Sequence, residues 1–102
     1  MRLASTTNNK TGRVEIFHPS FGWGTVCSDE WDDTDSRVIC RQLGFTGVSG
    51  TSRGVYYGSG AGSILLDDVK CTGKESFIWD CSHRGWNVHN CGHYKDVGVD
   101  CI

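Results

Sequence analysis

A chain of 102 residues with six cysteines and a formal net charge of −2 has room for one domain with a modest core, which at this size usually needs covalent staples. The near-neutral balance excludes a global pull toward nucleic acid or an acidic membrane, and no apolar run approaches the roughly 20 residues needed to span a bilayer. The even cysteine count without any C-x-x-C pair excludes the common zinc-knuckle spacing and a thioredoxin-like redox motif, and points to disulfides made in an oxidising, extracellular setting.

The opening MRLASTTNNK lacks the apolar centre of a signal peptide, so the chain is expected to be a module of a longer secreted or membrane-anchored protein. Asn9-Lys10-Thr11 is a glycosylation sequon suited to an exposed loop, although so short a pattern also arises by chance. Over 13–17, Val14 and Ile16 alternate with polar neighbours and predict a half-buried strand. A second strand-like run covers 23–27, and turn residues fill 18–22, so the two are expected to form a hairpin.

Residues 27–35, CSDEWDDTD, gather five carboxylates: Asp29, Glu30, Asp32, Asp33 and Asp35. They follow neither the spacing nor the glycine of an EF-hand loop. Asp33 and Asp35 suit the start of a helix predicted over 33–44, where carboxylates favour the positive dipole end; Glu30 and Asp32 have no assigned partner. The helix would bury Ile39, Cys40 and Leu43, with Val38 at the margin and Arg37, Arg41 and Gln42 toward solvent, and would end at Gly44. A glycine-rich turn over 58–62 leads into a strand at 64–66. Thr72 and Glu75 have capping-box spacing and predict a short second helix before Trp79. The last strand is expected over 97–101. Mixed short strands with two helices and no βαβ rhythm give an α+β domain.

Catalytic signals are weak. Four histidines (His18, His83, His89, His93) are present, but no G-x-S-x-G elbow occurs. The 58–62 glycines lack the full dinucleotide fingerprint and open a strand instead of a helix. Trp23 and Trp31 are expected in the core by default, whereas Trp86, in a polar stretch, is the tryptophan suited to surface contact with a ligand. Arg37, Arg41, Arg53, Lys70, Lys74, Arg84 and Lys95 are scattered in sequence. Arg37 and Arg41 nevertheless fall one turn apart on a helix face that would meet sulfated or phosphorylated polyanions or would simply be solvated.

The segments GRVEIFHPSFGWGTVCSDEW, DSRVICRQLGF, ILLDDVKCTGKES and WDCSHRGWNVHNCGHYKDVGVDC, in this order, resemble the scavenger receptor cysteine-rich (SRCR) domain over nearly the whole chain. Sequence alone leaves fifteen pairings of six cysteines open. The resemblance, to the six-cysteine group A type, implies Cys27–Cys91, Cys40–Cys101 and Cys71–Cys81. It also implies a curved, mixed or antiparallel β-sheet cradling one main helix, and it commits Cys91 to a disulfide, which removes His83, His89, Cys91 and His93 as a zinc set.

Two calcium or magnesium sites are implied by the same resemblance. The first uses two acids after the cysteine and a glutamate beyond Cys-Gly-His. Here Ser28 replaces the first acid, Asp29 remains, and Lys95 stands where the glutamate is expected, so a countercharge should replace the ion. The second would use Asp67 and Asn90, with Asp68 as helper, and would bind only weakly; the plainer alternative is that Asp67 and Asn90 cap turns.

The function implied is non-enzymatic extracellular recognition of proteins, glycans, or microbial and other polyanionic surfaces, in innate recognition, scavenging or adhesion. A weak divalent cation would assist, and oligomerisation would come through the parent protein. Neither a dedicated nucleic-acid ligand nor membrane insertion by this domain is expected. The alternative is a structural or regulatory accessory domain of a secreted multidomain enzyme.

Overall fold

The computed structural model describes residues 1–4, 9–53 and 57–102. Its strands are β1 (Arg2–Ala4), β2 (Thr11–His18), β3 (Gly22–Val26), β4 (Val48–Arg53), β5 (Ser63–Leu66) and β6 (Val97–Cys101), with one α-helix, α1 (Asp33–Gln42), between β3 and β4. The sheet order is β4-β6-β2-β3-β5, with β1 added along β2. Every pairing is antiparallel except β3 with β5. Register shifts at Thr25/Val26 and Val48/Gly50 bend the sheet, as bulges do.

The alternation of β2 carries directly into packing. Val14 and Ile16 are fully buried and meet Val26, Leu65, Val97 and Val99 from the neighbouring strands and Val38 and Ile39 from α1. The hairpin forms as expected, with Phe17 opposite Trp23 and His18 opposite Gly22. Trp31 is buried and donates its indole N–H to Ser36 Oγ at 2.8 Å. Trp23, expected in the core, lies on the outer face instead and is 40% exposed. Its β2 partner is Phe17, whose neighbours Ile16 and His18 point to the other side, and the period of two puts both aromatic rings outside.

Helix α1 starts on a reciprocal cap. Asp32 is the N-cap and accepts from Asp35 N–H at 3.1 Å, while Asp35 Oδ2 accepts from Asp32 N–H at 2.9 Å. Asp32 thus gains the partner that local pattern did not assign it, because the box uses an aspartate at N3 in place of the usual glutamate. Val38 is fully buried, deeper than the margin expected of it, and Leu43 at the C-cap is half-buried. Gly44 follows at φ +94° and ends the helix.

The short second helix is present as a single 3-10 turn, Ile78–Asp80. The Thr72–Glu75 pair does form, with the Glu75 carboxylate accepting from Thr72 N–H and Gly73 N–H. Gly73 sits between them at φ +101°, a left-handed step that no α-helix can continue through. Strands β1 and β4 are additional to the elements expected; both are short or rich in small polar residues.

Close approach fixes one glycine. A Cβ on Gly24 would lie 2.6 Å from the Ser63 carbonyl oxygen and 2.7 Å from Leu65 Cγ, both on the paired strand β5. Gly24→Ala is therefore expected to cost about 1–3 kcal/mol, read as a lower denaturant midpoint. An unchanged midpoint would mean that β3 and β5 can separate without penalty.

Candidate ligand-recognition site

The parallel pair β3 and β5 ends on one edge of the sheet, so the residues that follow each strand emerge side by side. Cys27 N–H donates to Leu66 O at 2.9 Å, and two residues later Asp29 stands beside Asp67. Their carboxylates and the sulfurs of Cys27 and Cys91 all offer atoms within 4.8 Å of one another. Asp29 and Asp67, one acid from each of the two cation sites inferred from sequence, thus stand together beside the Cys27–Cys91 disulfide.

Two cations enter this cluster from other segments. Ser28 N–H bonds to Lys95 O at 2.9 Å, and Cys27 bridges Asp96, which delivers the Lys95 ammonium 3.1 Å from Asp29 Oδ1. The hydrogen bond that Lys95 donates to Asp29, reinforced by the Asp29 charge, raises the Lys95 pKa above the ordinary lysine value. The segment after Cys81 folds back along 65–70, through Lys70 with Ser82 and Asn87 N–H to Leu65 O at 2.9 Å. That return places Arg84 Nη1 3.1 Å from Asp67 Oδ2. Asp67 is fully buried, and its Oδ1 accepts from Asp68 N–H at 2.8 Å.

A divalent cation does not fit this donor set. Calcium wants six to eight oxygens. Of the four carboxylate oxygens of Asp29 and Asp67, Lys95, Arg84 and the Asp68 N–H already engage three. The fourth, Asp29 Oδ2, lies 3.6 Å from the Cys91 sulfur, and Asn90, itself exposed, turns Oδ1 to the same sulfur at 3.8 Å. Two carboxylates and two cations sum to zero. Arg84 is the partner that sequence reasoning missed: it lies 17 positions from Asp67, and no local spacing signals the loop return that joins them.

The disulfides are Cys27–Cys91, Cys40–Cys101 and Cys71–Cys81. The second metal-like grouping, Cys71, Glu75 and Cys81, therefore contains no thiolate. The histidines serve as turn acceptors: Nδ1 of His18, His83 and His89 each accepts the backbone N–H two residues on. His93 instead links Asp96 to Gly62 O, and Asp96 also accepts from Thr25 and Gly60. Among the described residues no three histidines come together as a metal set.

The basic residues divide sharply. Arg2 and Arg13 pair with Glu15, Lys70 with Asp32, Arg84 with Asp67 and Lys95 with Asp29. Arg37, Arg41 and Lys74 are exposed and have no carboxylate in ion-pairing range among the described residues. Arg41 Nη2 instead donates to the Glu75 carbonyl at 2.6 Å. Glu75 turns its carboxylate back onto its own loop, where the Thr72 and Gly73 N–H groups hold its pKa down to about 2. The Arg53 side chain lies outside the described residues.

Trp86 is half-buried, its ring 4.7 Å from His18, 5.9 Å from His83 and 6.3 Å from Trp79. The more open ring of that group is Phe77, 46% exposed and stacked on Trp79 at 5.3 Å with planes 4° apart. On the outer sheet face Arg2 covers Trp23 at 3.8 Å. Asn9 is exposed just before β2.

The family model for the scavenger receptor cysteine-rich domain matches residues 4–102. The chain belongs to the SRCR family. It is 46% identical over 101 residues to a scavenger receptor cysteine-rich domain superfamily protein of Patiria pectinifera, covering 99% of this chain but only 9% of that relative. Among solved structures, it resembles the third SRCR domain of murine neurotrypsin, with 46% identity, TM-score 0.87, and coverage of 98% of this chain and 92% of that one. It also resembles the dimeric form of the SRCR domain of mouse MARCO, with 42% identity, TM-score 0.82, and coverage of 100% and 94%. SRCR domains in general are extracellular, receptor-type ligand-recognition modules of non-enzymatic character. No described helix is long and apolar enough to cross a membrane.

Proposed function

We propose that this SRCR domain recognises extracellular ligands with clustered negative charge, on protein, glycan or microbial surfaces, and that it does so without a divalent cation. The observation that carries this reading is the division of the cations. Arg37, Arg41 and Lys74 are exposed and have no acid partner among the described residues, while the acids of the Asp29–Asp67 cluster are neutralised internally by Lys95 and Arg84. An ammonium and a guanidinium inside that cluster repel calcium and do the structural work an ion would do. Single-domain affinity would be modest, and tandem copies would raise it by avidity; the small share of the Patiria pectinifera relative that this chain spans suits such an arrangement.

Calorimetric titration of the domain with a sulfated polysaccharide is expected to give one affinity in calcium and in chelator, and a weaker one at higher ionic strength. Arg37→Ser with Arg41→Ser should reduce that affinity roughly tenfold. A heat of calcium binding in the parent domain, or binding lost in chelator, would overturn the cation-independent reading.

A further inference from the structure

We propose that the basic face of α1 and the Phe77 ring form one site for an acidic glycan, with the cations taking its sulfate or carboxylate groups and Phe77 stacking on a sugar ring. This rests on the anionic-ligand reading above and names the ligand class of that same face.

The contiguity is built by two bonds across the end of α1. Gln42 Oε1 accepts from Ile78 N–H at 2.8 Å, and Arg41 Nη2 donates to Glu75 O at 2.6 Å. These bracket Phe77 in the chain and hold its segment against the last turn of α1, which carries Arg41, with Lys74 on the same short segment and Arg37 one helical turn away; the Phe77 ring is half-exposed. Trp79 supports the ring from behind in a near-parallel stack. Glu75, on the same segment, turns both carboxylate oxygens to backbone N–H groups, and neither it nor the exposed Asp33 and Asp80 forms an ion pair with Arg37, Arg41 or Lys74 among the described residues.

Charge complementarity selects an anion, and the ring selects among anions. A flat, backed aromatic face next to cations offers a ligand both an apolar surface and ion pairing. A sulfated or uronate sugar has an apolar C–H face and fixed charges on one small unit. An acidic peptide offers charge on flexible chains with no such face. A nucleic acid would stack too, but the net charge of −2 opposes a long phosphate backbone beyond this patch.

The test compares two ligands on the intact domain: a sulfated glycosaminoglycan and inorganic polyphosphate of similar charge. Phe77→Ala is expected to weaken the glycan about five- to tenfold and leave polyphosphate unchanged, with the thermal midpoint showing that the variant is folded. Arg37→Ser with Arg41→Ser should weaken both ligands. Equal loss for both ligands in Phe77→Ala, or no loss for either, would overturn the stacking role while leaving the basic face standing. Arginine changes that affect neither ligand would overturn the anionic reading itself. Tighter binding of poly-glutamate or of a single-stranded oligonucleotide than of the glycan would overturn the glycan assignment.

Discussion

Asp35→Ala is expected to lower the stability of the domain by about 3 kcal/mol. Asp35 is fully buried, and each of its oxygens serves a different element: Oδ1 accepts from Cys71 N–H at 2.8 Å and Oδ2 from Asp32 N–H at 2.9 Å. One carboxylate therefore closes the N-terminus of α1 and ties it to the Cys71–Cys81 loop. Truncation leaves the buried Cys71 N–H without a partner, at about 1–3 kcal/mol, and the part-buried Asp32 N–H without its cap bond, at about 1 kcal/mol, offset in part by relief of a buried charge. Denaturant melts of the two proteins measure it, and a loss under about 1 kcal/mol would mean that water or a shifted backbone satisfies both donors.

The same carboxylate shapes the pH profile. Burial pushes the Asp35 pKa from 3.8 up to about 6, against the Asp32 and Cys71 backbone hydrogen bonds that pull it down; the neighbouring Asp32 charge adds to the rise. The folded state therefore takes a proton more readily than the unfolded one, and the Asp35 contribution to stability grows as pH falls through 6 toward 3.8. Glu75 acts in the opposite sense: held at about 2 against an ordinary 4.5, it contributes stability above 4.5 that is lost as pH falls further. The two together place maximum thermal stability at roughly pH 4–5. Asp35→Asn should flatten the rise between pH 7 and 5, and a variant profile parallel to the parent's would assign that rise to other groups.

Elements whose chemistry is local were legible in the chain. β2 shows its alternation, β6 its apolar run, and α1 its acids at the start and Gly44 at the end. β4 was not, because V-S-G-T-S-R carries no periodicity and is a strand only through its pairing with β6. The helix expected after Thr72 shrank to one turn because Gly73 takes a positive φ, which a spacing rule cannot foresee. Trp23 ended outside because hairpin register, not ring size, decides its face.

The candidate site divides along the same line. Arg37 and Arg41 were legible, since four residues on a helix fix a shared face. Asp29 and Lys95 were legible only through family resemblance, being 66 positions apart. The Arg84–Asp67 pair and the meeting of Asp29 with Asp67 depend on the parallel β3–β5 pair and the returning loop, which are tertiary facts. Phe77 escaped notice because its exposure follows from the turn that replaced the helix.

Removing Cys40–Cys101 by paired alanine substitution is expected to cost about 4 kcal/mol, and removing Cys71–Cys81 about 3, if loop-closure entropy dominates. The first closes a separation of 61 residues and joins α1 to β6 across the core; the second closes only 10. A domain this size has roughly 5–15 kcal/mol in total, so loss of the long bridge should leave a marginal fold and loss of the short one a stable but weakened fold. The short loop also has support that survives its disulfide, through the Asp35 bond to Cys71 N–H and the Lys70–Ser82 bridge. Both effects push in the same direction, and denaturant midpoints under non-reducing conditions rank the two variants. The reverse order would show that the 71–81 loop, not the link from α1 to the sheet, is the weak point of the fold.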